Sequence, residues 1–78
     1  MNNSYSVLFL EDEPTIRDVL TEYMSLSGYQ VTAVADGDQA IGLLRTQTFH
    51  IAVLDIMVPG ANGFDVLQFV QQHSPDTA

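Results

Sequence analysis

The chain has 78 residues, ten acids against two arginines, a formal net charge of −8 and no cysteine. That length makes at most one small domain, burying somewhat more than ~60% of its unfolded surface; disulfides and thiolate zinc sites are excluded, and the phosphate contacts of nucleic-acid binding lack their Lys and Arg donors. No apolar run approaches the ~18–20 residues that span a bilayer, and Met1 to Ser6 lacks the basic start of a signal peptide, so no membrane contact and a cytoplasmic location are expected.

Val7, Leu8, Phe9 and Leu10 form an unbroken apolar run, which reads as a strand buried on both faces of a parallel sheet. It leads straight into Glu11, Asp12 and Glu13. A helix is predicted from Pro14 to Leu26, with Ile16, Val19, Leu20, Tyr23 and Met24 at i, i+3, i+4, i+7 and i+8 along one apolar stripe. Pro14 suits the first turn, where its missing N–H has no intrahelical partner to lose. Gly28 is the stop signal. Tyr29 to Ala35 is a second strand, more polar and therefore placed at an edge. Asp36-Gly37 reads as a turn and Asp38 as the cap of a short helix through Arg45, whose buried face is Ala40, Ile41, Leu43 and Leu44. Ile51 to Leu54 is a third strand, ending at Asp55. A loop from Ile56 to Gly63 contains Pro59 and Gly60, and a third helix, Phe64 to His73, offers Phe64, Leu67 and Val70 to the core before Ser74-Pro75 ends it. The order βαβαβα demands an α/β fold with a parallel sheet and right-handed crossovers.

Parallel neighbours bring their carboxyl ends to one edge, so Glu11, Asp12 and Asp55 share a crevice. Each pair of carboxylates at ~4 Å repels by roughly 4 kcal/mol at an effective dielectric near 20, and a proton or a cation must relieve this. Hard oxygen ligands of this kind favour Mg²⁺, which takes one or two carboxylates, keeps waters and binds phosphate oxygens. Glu11 and Asp12 are adjacent, as a metal-holding pair should be, and a backbone carbonyl just past Asp55 would be the remaining ligand. Asp55 stands alone and suits a nucleophile that forms an acyl phosphate. A single acid after a strand is commonly only a helix cap, and Glu13 fits that plainer reading. Two strand-end acid sites, one followed by a loop shaped by Pro59 and Gly63, fit it less well.

A hydrolase with an aspartyl nucleophile wants a second acid shortly after it, where Met57 stands two residues on. A nucleotide or flavin site wants a Gly- or hydroxyl-rich loop after the first strand, the opposite of Glu11-Asp12-Glu13. His50 and His73 read as surface histidines, Arg17 and Arg45 as solvated helix positions, and Tyr5, Tyr23 and Tyr29 as core or rim aromatics.

Leu8-Phe9-Leu10-Glu11-Asp12-Glu13-Pro14, followed at this separation by Asp55-Ile56-Met57-Val58-Pro59-Gly60-Ala61-Asn62-Gly63-Phe64, resembles the receiver domain of bacterial two-component response regulators. The resemblance runs from Tyr5 to the end of the chain. It implies a flavodoxin-like fold with strand order 2-1-3, phosphoryl transfer from a histidine kinase to Asp55, and Mg²⁺ held by Glu11, Asp12, Asp55 and the Met57 carbonyl. Pro59 and Gly63 match the family's loop after the acceptor. It also implies a regulatory domain rather than an enzyme, controlling an output domain, with a lean toward DNA-binding outputs.

A complete receiver of this family has two further βα units, which carry a switch Ser or Thr and a catalytic Lys. The sequence contains no lysine, and Thr77 follows Pro75 too closely to end a strand of ~5 residues. On this reading residues 1–78 are a single receiver domain lacking its last two βα units. Such a chain is expected to bind Mg²⁺ weakly, to take phosphate slowly or undetectably, and to associate as a homodimer or an edge-paired or exchanged oligomer through its open third strand. The competing expectation is a phosphorylation-incompetent pseudo-receiver that works as a protein-interaction or dimerisation module.

Overall fold

The computed structural model describes residues 5–55, 63–73 and 75–78. Three strands and three helices alternate along it: β1 (Ser6–Leu10), α1 (Pro14–Leu26), β2 (Gln30–Val34), α2 (Gly37–Leu44), β3 (Ile51–Leu54) and α3 (Gly63–His73). The sheet is parallel throughout, in the order β2-β1-β3. The 2-1-3 order expected from the resemblance is therefore observed, and β2 lies at an edge as its polarity suggests. Register is what positions the site. Leu10 pairs with Val34 on one side and with Leu54 on the other. The ladder then continues one residue further, as the Glu11 N–H donates to the Val34 carbonyl (3.1 Å) and the Asp55 N–H to the Leu10 carbonyl (3.0 Å). Glu11 and Asp55 thus leave the sheet side by side.

Alternation along β1 sends Leu8 and Leu10 to one face, where they join Val34, Ala40, Leu44, Phe49, Val66 and Val70 in a single apolar cluster beneath α2 and α3. Val7 and Phe9 are buried on the opposite face, the one left to α1, which packs against β2 and β1. Phe49 is among the largest fully buried side chains. Its place just before β3 gave no periodic signal, because it lies in the connection rather than in an element.

Several expectations need correction. The α2 cap is Asp36, not Asp38: Asp36 is extended (φ −142°, ψ 161°) and its carboxylate accepts the Gln39 N–H at 2.8 Å, while Asp38 lies in the first turn. The apolar stripe expected on α1 packs against β2 and β1 without burying a residue: no α1 side chain is buried, and Tyr23 is 69% exposed. In α3 the inward positions are Gly63, Val66 and Val70, spaced i, i+3, i+7, and Phe64 and Leu67 lie outside that stripe, exposed. Gly28 is the expected stop; its φ of 97° is a left-handed conformation that a Cβ would strain.

Beside β3, the Ala78 N–H donates to the His50 carbonyl and the Ala52 N–H to the Ala78 carbonyl, both at 2.8 Å, so Ala78 sits as a parallel strand residue on its outer edge. Thr77 donates its hydroxyl to the Phe49 carbonyl. That places Thr77 beside His50 at the amino end of β3, about 17 Å of strand away from Asp55, and not where a switch hydroxyl would act.

Candidate functional site

The three consecutive acids after β1 divide their work. Glu13 is the α1 N-cap: its carboxylate accepts the Ile16 N–H at 2.8 Å, satisfying a donor the first turn leaves unpaired. The helix-cap reading is thus correct for Glu13. Glu11 is half-buried, and its carboxylate accepts the Glu13 N–H at 3.1 Å, which folds the loop into a tight turn. Asp12 is exposed, and Asp55 is half-buried at the end of β3. Glu11, Asp12 and Asp55 each present an oxygen within 4.8 Å of the others. The sheet edge therefore brings together the three carboxylates that the sequence singled out.

Their mutual repulsion leaves a mark. The Glu13 N–H pulls the Glu11 carboxyl downward, but burial, hydrogen bonding and charge repulsion from Asp55, and a hydrogen bond with Asp12 outweigh it. The net result is a Glu11 that holds its proton above the ordinary carboxylate value. A carboxylate that resists ionising beside two others is a site short of positive charge.

The donor set fits Mg²⁺. With oxygens at about 2.1 Å, opposite ligands of an octahedral ion lie about 4.2 Å apart. The 4.8 Å spread closes by a small side-chain rotation or through one metal-bound water. Met57, whose carbonyl was the expected fourth donor, and Pro59 lie outside the described residues. Gly63, expected to shape the loop, is the first residue of α3 and buried.

The family model of the response regulator receiver domain matches residues 7–78. The chain belongs to the response regulator receiver family. As a receiver it is similar to the probable transcriptional regulator ycf27 of Cyanophora paradoxa, 33% identical over 72 residues that make up 92% of this chain and 30% of that protein. It is likewise 33% identical to the probable transcriptional regulatory protein TcrX of Mycobacterium tuberculosis, over 90% of this chain and 30% of the relative. The chain thus spans under a third of the length of the curated relatives it matches.

Among solved receivers, the response regulator TrrA of Thermotoga maritima in complex with Mg²⁺-BeF superposes with a TM-score of 0.87 at 27% identity, over 94% of this chain and 64% of that one. The receiver domain of a Pseudomonas aeruginosa sensor histidine kinase, with a magnesium ion coordinated in its active-site cleft, gives 0.85 at 26% identity over 92% of this chain and 59% of that one.

Some neighbours were not legible in the sequence. Arg17, expected on a solvated face, is half-buried, and its guanidinium donates to the Glu11 carbonyl at 3.0 Å and the Asp12 carbonyl at 3.4 Å. His50 is exposed as expected but partnered: its Nδ1 accepts the Ser6 N–H at 3.0 Å and its ring lies 5.2 Å from Tyr5. His73 stacks on Phe69 with ring centroids 4.1 Å apart. Both histidines lie outside the acidic pocket. Tyr5 and Tyr23 are exposed, so neither is a core aromatic.

Proposed function

We propose that this receiver is a phosphoacceptor switch of a two-component system, with Asp55 as the acceptor. The observation that carries the proposal is the convergence of Glu11, Asp12 and Asp55 within 4.8 Å at the carboxyl edge of the sheet. Glu11, Asp12, Asp55 and the Met57 carbonyl would hold Mg²⁺, which when bound neutralises charge on the transferring phosphoryl oxygens. A carboxylate oxygen of Asp55 attacks the phosphorus of a phosphohistidine on the donor kinase. The P–O bond forms as the P–N bond breaks, and the leaving imidazole takes a proton. The reaction consumes one phosphoryl group per chain, so the domain is a regulatory acceptor and not a turnover enzyme.

The donor is a histidine kinase and the place of action the cytoplasm. The names of the ycf27 and TcrX relatives, both transcriptional regulators, support a DNA-binding output domain downstream of the receiver. With a net charge of −8 the receiver itself repels nucleic acid.

A second reading has its own support. The exposed Val19, Tyr23 and Leu26 of α1, with Val53 of β3, offer an apolar surface on which a homodimer or an edge-paired oligomer would assemble. On this reading the chain is an interaction module that keeps the fold without accepting phosphate.

The two are separated with beryllofluoride, a phosphoryl mimic, added with Mg²⁺ and followed by amide NMR. A functional acceptor shows saturable shifts at Leu54 and Asp55 that Asp55→Asn abolishes. An interaction module shows none, yet its sedimentation changes with concentration.

A further inference from the structure

We propose that Arg17 is a positioning residue for the acidic pocket, strapping the β1–α1 loop by its backbone so that Glu11 and Asp12 stay aimed at a common cation; the inference rests on the Mg²⁺ reading of that pocket. The geometry is specific. The Arg17 backbone is fixed in the first turn of α1, its N–H donating to the Glu13 carbonyl at 2.9 Å. From there the side chain runs back over the helix start, and one guanidinium nitrogen reaches the Glu11 carbonyl at 3.0 Å and the Asp12 carbonyl at 3.4 Å.

Both of these bonds end on peptide oxygens, so the strap does not consume the carboxylates that would take the metal. The loop needs it. Glu11 is tied to the sheet through its N–H on the Val34 carbonyl, but the peptides after it carry two like charges that push apart. Rotation of either peptide would swing a carboxylate away from Asp55. A half-buried guanidinium whose single nitrogen holds both carbonyls resists that rotation.

The strap and a plain charge effect have opposite signs. As a mere positive charge near the pocket, Arg17 would repel Mg²⁺, and removing it would tighten binding. As a strap, removing it loosens the ligands and weakens binding, by the 10–100-fold typical of partners that orient metal ligands.

The test is Mg²⁺ titration by calorimetry of wild type, Arg17→Met (stem kept, donors and charge lost) and Arg17→Lys (charge kept, guanidinium lost). Metal-free amide exchange at Glu13, Leu8 and Leu10 accompanies it. The expected result is a Kd raised about tenfold or more in Arg17→Met and by less in Arg17→Lys. Exchange at Glu13, whose N–H closes the loop on Glu11, is faster in Arg17→Met while Leu8 and Leu10 are unchanged. Wild-type affinity or tighter binding in Arg17→Met overturns the strap. Failure of wild type itself to bind Mg²⁺ overturns the pocket reading on which the strap rests, and is told apart by the flat wild-type titration.

Discussion

Asp12→Asn turns the crowding of the pocket into a stability measurement. At 4.8 Å, the upper limit on the separations in the cluster, two charged oxygens repel by about 3.5 kcal/mol at an effective dielectric near 20 and by about 0.9 kcal/mol in bulk water. Asp12 is exposed and Glu11 and Asp55 are half-buried, so screening puts each pair near the lower figure. Asp12→Asn removes two such repulsions and, unlike the carboxylate, offers Glu11 an N–H donor while keeping an oxygen to accept from it. Without metal, the variant should be more stable than wild type by about 1–2 kcal/mol. For a domain of this size that is a rise in Tm of roughly 5–15 °C.

Saturating Mg²⁺ should reverse the order, because wild type gains about 1.4 kcal/mol at ten times Kd and more above it, while the variant has lost a ligand. The assay is thermal unfolding by circular dichroism with EDTA and with a Mg²⁺ series. An Asp12→Asn variant less stable than wild type in EDTA would mean that the carboxylates are held by favourable bonds and not against their own charge.

Glu11 carries the pH dependence. Its folded value is raised above 4.5, so its protonated form favours the fold below the unfolded value, and that contribution is lost as pH rises through the folded one. In metal-free urea titrations, Glu11→Gln should therefore gain on wild type as pH rises above the ordinary carboxylate range, and Mg²⁺ should shrink the gain. Asp36→Ala removes the α2 cap on the Gln39 N–H and should cost about 1 kcal/mol in the same titrations. Phe49→Leu, in the fully buried site before β3, should cost about 1–1.5 kcal/mol, read from the urea midpoint. Tyr23→Gln, on the exposed stripe of α1, should change stability by no more than about 0.5 kcal/mol while lowering any self-association seen by sedimentation.

What the sequence made legible was what depends on neighbours along the chain. The apolar runs at Val7–Leu10 and Ile51–Leu54 both announce strands, but only the first is buried on both faces; no residue of β3 is buried and Val53 is exposed. Their position ahead of Glu11 and Asp55 announces the pocket. Glu13 and Gly28 are local signals as well, a cap and a left-handed stop. The Asp36 cap was also within reach: Asp36 and Gln39 stand at capping-box spacing, and Gln39 Oε1 accepts the Ala35 N–H at 3.2 Å.

Contacts fixed by the register of distant strands were not legible. His50 meets Ser6 across 44 positions, and only the pairing of β3 with β1 brings them together. Periodicity likewise says that α1 is amphipathic but not that its stripe is covered. Amphipathicity records what a helix could bury, and burial needs a surface opposite it. Arg17 was misread for a related reason. A charged residue on a helix is assigned to solvent by default, and its two carbonyl acceptors become partners only when the loop doubles back over the helix start.

Whether Asp55 accepts a phosphoryl group is read from intact mass. Wild type and Asp55→Asn are incubated with Mg²⁺ and a small phosphodonor such as acetyl phosphate, with folding checked by circular dichroism. Wild type should gain the mass of one phosphoryl group and Asp55→Asn none, with the adduct lost on treatment with base or hydroxylamine as an acyl phosphate should be. A folded wild-type chain that gains nothing, or an Asp55→Asn variant that gains as much as wild type, would contradict Asp55 as the acceptor.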